Sequence, residues 1–193
     1  MNNPATAVLL RVVEKLDDLN IPYVVGGSFA SSLHGMARAT NDVDFVVAIS
    51  LKQVKAFVAS FENEFYLDEQ AIIKAIQLKK SFNMIHLESI FKVDMFIAKF
   101  GGFQEQELKR RQLQQVSQHA EDRAYIASPE DTILAKLDWY RKGNFTSDKQ
   151  WQDIASIIKI QGDKLDIDYL KQWSKELGLS GLLDKALSES FGE

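Results

Sequence analysis

Three aspartates define the chemistry this sequence offers. Asp42-Val43-Asp44 opens a valine-rich run, and alternate residues of a strand point to one face, so both carboxylates project together. Side by side they repel each other unless a cation lies between them. Hard oxygen donors of this kind suit magnesium or manganese, which also bridge the phosphates of a nucleotide. Asp94 interrupts the apolar and aromatic run Phe91–Ile97. A lone carboxylate there costs desolvation energy unless it pairs with Lys92 or Lys99 or ligates metal. As a third ligand or a general base it would complete the set used in two-metal phosphoryl chemistry.

A phosphate seat lies upstream. Val24-Val25-Gly26-Gly27-Ser28 reads as a strand that runs into two glycines and then a helix start. Glycine removes the side chain where a phosphate must approach the backbone, and a helix start offers free N–H groups and a favourable dipole. Ser28 adds a hydroxyl and is expected to cap the helix. Two cations are candidates for the same anion. Arg38 stands just ahead of the acidic strand. Lys136 lies on a helix whose apolar face is Ile133, Leu134, Leu137 and Tyr140. Lysine often reaches phosphate as a point charge; a partnership with Asp153, or plain solvation, is the alternative.

Gly26-Gly27-Ser28, a short helix, Asp42-Val43-Asp44-Phe45 and a later strand with Asp94 together resemble the polymerase-β-type nucleotidyltransferase superfamily. Arg38-Ala39-Thr40-Asn41-Asp42-Val43-Asp44 is similar to its small bacterial members. The resemblance implies a mixed sheet flanked by helices and two magnesium ions. It also implies transfer of a nucleoside monophosphate to a hydroxyl with release of pyrophosphate. Gly27 and Ser28 would hold the triphosphate, Asp42 and Asp44 would ligate the metals, and Asp94 would activate the acceptor. Ser128-Pro129-Glu130-Asp131, Lys136-Leu137, Arg141 and Asp153-Ile154 resemble the helical part of abortive-infection type toxin nucleotidyltransferases. Many of those carry an aspartate where this chain has Gln150. Such kinship would bring an antitoxin protein as partner, and a catalytically silent nucleotide-binding or interaction module of a toxin–antitoxin pair is the alternative function. The acceptor is open: an RNA end, a protein hydroxyl or a small molecule.

The elements that must position these residues follow from periodicity and punctuation. Helical spacing covers Ala5–Leu19, Leu51–Phe61 and Glu69–Lys80, and strands are expected at 23–25, 42–49, 82–88, 90–98, 113–117 and 123–127. Beyond Ser128-Pro129, where serine caps and proline opens a helix, the pattern is helical through four segments: Glu130–Arg141, Asp148–Ile160, Ile167–Glu176 and Ser180–Leu187. The fold class is therefore α/β in the α+β sense, a mixed central sheet flanked by helices with a C-terminal helical lobe. The expected division is 1–127 for the nucleotidyltransferase lobe and 128–193 for the helical lobe.

Composition narrows the function classes. With 46% hydrophobic and 26% charged residues the balance is that of a globular protein. Zero cysteines exclude a disulfide framework, a thiol nucleophile and a cysteine-ligated metal. No apolar run suits a signal peptide or a membrane span, so no membrane partner and a cytoplasmic location are expected. A net charge of −4 suits a nucleoside triphosphate and a small acceptor, or one end of a nucleic acid, better than a long duplex. Asp166-Ile167-Asp168 repeats the acidic pattern without a glycine turn, and one of its acids is expected to cap a helix. His34, His86 and His119 lack ligand spacing, and Trp139, Trp151 and Trp173 are expected in a helical core.

Overall fold

The computed structural model describes residues 4–192 and forms two compact units. The first, residues 1–26 and 40–126, is built on one seven-stranded mixed sheet. The second, residues 27–39 and 127–193, is helical. No helix among the described residues is long and apolar enough to cross a membrane.

In the first unit, α1 (Pro4–Asp18) is followed by β1 (Tyr23–Val25). After the excursion into the second unit come β2 (Asp42–Val47), α3 (Val54–Phe61), β3 (Phe65–Tyr66) and α4 (Glu69–Leu78). The hairpin β4 (Ser81–His86) and β5 (Lys92–Ile97), helix α5 (Phe103–Arg110), and strands β6 (Gln112–Gln115) and β7 (Arg123–Ile126) complete it. The sheet order is β3-β4-β5-β2-β1-β7-β6. The central strands β1, β2 and β5 are paired on both sides, which fixes the acidic strands where register is hardest to shift.

Alternation on β2 and β5 does the positioning. Val43, Phe45 and Val47 on β2, and Val93, Met95 and Ile97 on β5, are buried. Phe45, with 0% exposure, meets Tyr23 edge-on at 5.9 Å between ring centres, and its burial contributes roughly 1.5–3 kcal/mol. Phe57, Phe61, Phe65 and Phe82 form an aromatic chain linking α3, β3 and β4. A one-residue slip would turn this apolar set outward, so the core holds the acids on the other face.

The second unit contains α2 (Gly27–His34), α6 (Pro129–Lys142), α7 (Asp148–Gln161), α8 (Ile167–Glu176) and α9 (Ser180–Phe191). The division at 127/128 expected from sequence runs all of 1–127 together; the fold takes 27–39 out of that lobe. The reason is packing: α2 lies against α6 and α7, and Gly35 lets it approach so closely that a Cβ there would come within 3.1 Å of the Ile157 nitrogen. Ser128 caps α6 as expected, its hydroxyl accepting from the Asp131 N–H at 3.1 Å. Asp166 caps α8 through the Tyr169 N–H at 2.9 Å, as expected for one member of the second acidic pair. The tryptophans are not core residues: Trp139 is 49% exposed, and Trp151 keeps its indole N–H at the surface, donating to Glu189 at 2.8 Å. Helix α5 and strand β3 had no counterpart in the sequence pattern. α5 is mostly polar, and β3 is two residues long.

Candidate active site

The acidic face belongs to the first unit. β2 and β5 run parallel in register, with Asp42 opposite Lys92, Asp44 opposite Asp94, and Val46 opposite Phe96. In-register neighbours point the same way, and the odd-numbered residues of both strands fill the core. Asp42, Asp44 and Asp94 therefore share one half-buried face. β4 extends it, with Asn83 opposite Asp94. On the other side the Gly26 N–H donates to the Asp44 carbonyl at 2.9 Å, continuing the antiparallel β1–β2 ladder. One row thus reads Asn83, Asp94, Asp44, Gly26. A Cβ added to Gly26 would meet nothing within 4 Å, so glycine leaves open space beside Asp44.

Thr40 orients the first acid: its hydroxyl lies 2.9 Å from Asp42 Oδ1. A threonine two residues before an aspartate is the available sequence signal for such a local bond. Asp94 is held differently. Lys92 Nζ lies 2.7 Å from Asp94 Oδ2. The hydrogen bond to Asp94 raises the Lys92 ammonium above its ordinary value against the opposing effect of burial, with further attraction from Asp94, Asp42 and Asp44. A lysine in this place registered in the sequence only as a possible partner for Asp94.

In kind and in strand placement the three carboxylates fit a hard divalent cation: oxygen donors on adjacent in-register strands, with a bare glycine in the same row. As the side chains stand, no three acidic or histidine residues form a metal-holding group among the described residues. Asp94 faces the lysine ammonium instead.

The cationic cluster belongs to the second unit. Gly26 ends the first unit and Gly27 begins the second. Gly27 has φ of 57°, the left-handed region that glycine enters without penalty. Ser28 lies inside the first turn of α2 and is not its cap; its hydroxyl accepts from Arg38 Nη2 at 2.8 Å. Arg38 also grips Asp153 with two parallel bonds, Nε to Oδ1 at 2.9 Å and Nη2 to Oδ2 at 2.7 Å. Lys136, 3% exposed, donates to Asp153 Oδ2 at 2.8 Å and to Gln150 Oε1 at 3.0 Å. Burial alone would raise the Asp153 carboxyl, but hydrogen bonds from Arg38 and Lys136 outweigh it and hold it below the usual carboxylate range. Of the predicted cation candidates, both converge on one carboxylate. Asp153 is the residue sequence reasoning undervalued, having entered as a partner for Lys136 and as part of a helical resemblance, with no role of its own in the site. Gln150 supplies Lys136 with a neutral acceptor beside the Asp153 carboxylate.

Two of the histidines make hydrogen bonds away from the three acids. His34 is buried with Nε2 2.7 Å from the Ala127 carbonyl, and burial lowers its pKa. His86 Nδ1 lies 2.8 Å from the Ser89 hydroxyl.

A family model described as "Nucleotidyltransferase of unknown function (DUF6036)" matches residues 6–180. The chain belongs to this nucleotidyltransferase family. As a DUF6036 nucleotidyltransferase it is an enzyme of nucleotidyl transfer, with the acceptor left open. Its fold recurs in the antibiotic-resistance factor ANT(2'')-Ia, with a TM-score of 0.58 and 12% identity over 93% of this chain and 95% of that one. An antigenic nucleotidyltransferase-like protein from Paracoccidioides brasiliensis gives 0.55 and 17%, covering 97% and 96% of the two chains. The lincosamide antibiotic adenylyltransferase LnuA, in its lincomycin-bound form, gives 0.54 and 13%, covering 82% and 99%. At these identities the likeness carries the fold alone. No curated protein matches the chain by sequence.

Proposed function

We propose that this DUF6036 nucleotidyltransferase moves a nucleoside monophosphate from a nucleoside triphosphate to a hydroxyl of a small molecule, a protein or an RNA end. The acceptor oxygen bonds to the α-phosphorus, the bond from that phosphorus to the bridging oxygen breaks, and pyrophosphate leaves. The observation that carries this reading is the in-register row of Asp44 and Asp94, with Asp42 two residues ahead on the same face. Asp42 and Asp44 would hold magnesium or manganese, with Asp94 as third donor. The metal supplies charge neutralisation at the phosphates and orients the reacting groups. Asp94 takes the acceptor's proton as a general base.

Gly26 and Gly27 let the triphosphate approach the backbone, and Ser28, Arg38 and Lys136 receive its negative charge. Support comes from the open space at Gly26 and from the convergence of Arg38 and Lys136 on one place, both donating to Asp153. The net charge of −4 favours a compact acceptor over extended nucleic acid. We place the reaction in the cytoplasm, where triphosphates and magnesium are abundant. The two antibiotic-modifying structural neighbours make hydroxyl-bearing small molecules the first acceptors to try. The Lys92–Asp94 ion pair favours one second reading, a silent nucleotide-binding module in which lysine permanently replaces metal.

The test is incubation with each triphosphate labelled at the α-phosphate, with magnesium or manganese, and with fractions of RNA, protein and small hydroxyl compounds. Transfer of label by the wild type is expected, with none from Asp42→Asn. Asp94→Asn should keep nucleotide binding while transfer falls roughly 10²–10⁴-fold, the usual worth of a general base. Nucleotide binding without transfer to any fraction would favour the silent module. Undiminished transfer by Asp42→Asn would refute the assignment.

A further inference from the structure

We infer that Lys92 is a resident counter-ion of the acidic face, holding Asp94 in the metal-free protein and leaving it when a divalent cation enters. The inference rests on reading Asp42, Asp44 and Asp94 as metal ligands. Lys92 stands opposite Asp42 in the parallel register and two residues before Asp94 on the same strand. Its side chain therefore leaves the sheet on the face that carries all three acids. The ammonium lies 2.7 Å from Asp94 Oδ2. One ammonium facing three carboxylates neutralises part of their mutual repulsion, the task a metal ion performs when bound.

The two lysines of the protein's cation set are built for opposite uses. Lys136 has only 4% of its side chain exposed and is fixed between Asp153 and Gln150. Lys92 has 48% of its side chain exposed, on a flexible four-carbon stem, and a half-solvated pair of this kind is weak. It can swing into water at little cost. A divalent ion at the same carboxylates would repel the ammonium, so metal entry and Lys92 release are two sides of one exchange. Until then Asp94 is occupied as an acceptor of the lysine's proton bond. Once freed, it can ligate the metal or take a proton from the acceptor hydroxyl. Lys92 thus acts as a positioning residue that couples the state of Asp94 to the presence of the cation.

The test is calorimetric titration of the full chain with manganese alone, on wild type, Lys92→Met, Lys92→Arg, Asp42→Asn and Lys55→Met. Lys55 is an exposed lysine of α3, and its loss changes net charge equally. Removing the competing ammonium should tighten manganese binding by Lys92→Met roughly two- to fivefold, the worth of an exposed ion pair that no longer has to be broken. Lys92→Arg and Lys55→Met should bind as the wild type does. Manganese should also raise the melting temperature of Lys92→Met more than that of the wild type. Equal or weaker binding by Lys92→Met, with binding still abolished in Asp42→Asn, would overturn the role of Lys92 and leave the metal site standing. An equal gain in Lys55→Met would reduce the effect to net charge and likewise overturn it. Absence of binding in wild type and Lys92→Met alike would sink the metal reading and this inference together.

Discussion

Replacing Asp153 by asparagine tests the cationic cluster of the second unit. The aspartate accepts bonds of 2.9, 2.7 and 2.8 Å from Arg38 and Lys136. Asparagine keeps the shape and one carbonyl acceptor but leaves two cations without their shared charge. Breaking a buried pair in this way typically costs 3–5 kcal/mol. Arg38 has 23% of its side chain exposed and can recover some solvation, so a loss of about 2–4 kcal/mol is expected. For a chain of this size that lowers the melting temperature by about 5–15 °C. The sign of the pH dependence is fixed. The folded Asp153 pKa lies below its unfolded value, so its contribution is present above pH of about 4 and is lost as pH falls through the folded pKa. Urea unfolding followed by circular dichroism, at neutral pH and in steps below pH of about 4, measures both effects. The gap between wild type and Asp153→Asn should close in acid. Adding Lys136→Met to Asp153→Asn should recover part of the loss, since it removes the buried ammonium that has lost the Asp153 carboxylate. A mutant within about 0.5 kcal/mol of wild type at neutral pH, or a gap that widens in acid, would refute the reasoning.

Two further substitutions probe backbone constraints. Ile90, at the tip of the β4–β5 hairpin, has φ of 56° and is 73% exposed, so Ile90→Asn should stabilise by about 1 kcal/mol in the same unfolding assay because a β-branched residue tolerates the left-handed region poorly. Gly35→Ala would drive a methyl group into the Ser156 hydroxyl and to within 3.1 Å of the Ile157 nitrogen; it should destabilise by about 1–3 kcal/mol, with part of that relieved by Ser156→Ala.

The acidic pattern itself was legible in the sequence, because a strand's two-residue period places Asp42 and Asp44 together whatever surrounds them. Val43, Phe45 and Val47, at the alternate positions, announced the buried side of the same strand. The strand–glycine–helix turn at Gly26-Gly27 and the caps at Ser128 and Asp166 were equally local, each set by a side chain or φ angle within a few residues. Long-range register was another matter. That Asp94 lies directly beside Asp44, with Lys92 beside Asp42, depends on how two strands some fifty residues apart align, which no local period encodes. The convergence of Arg38 and Lys136 on Asp153 spans three separate segments; only packing of α2 against α6 and α7 brings them within hydrogen-bond distance. That same packing draws 27–39 into the helical unit, since the helix buries its apolar side where the partner surface exists. The sequence by itself determined which residues could do the chemistry. Tertiary structure alone decided which cation each carboxylate meets, because charge pairing is a matter of distance in space and not of spacing along the chain.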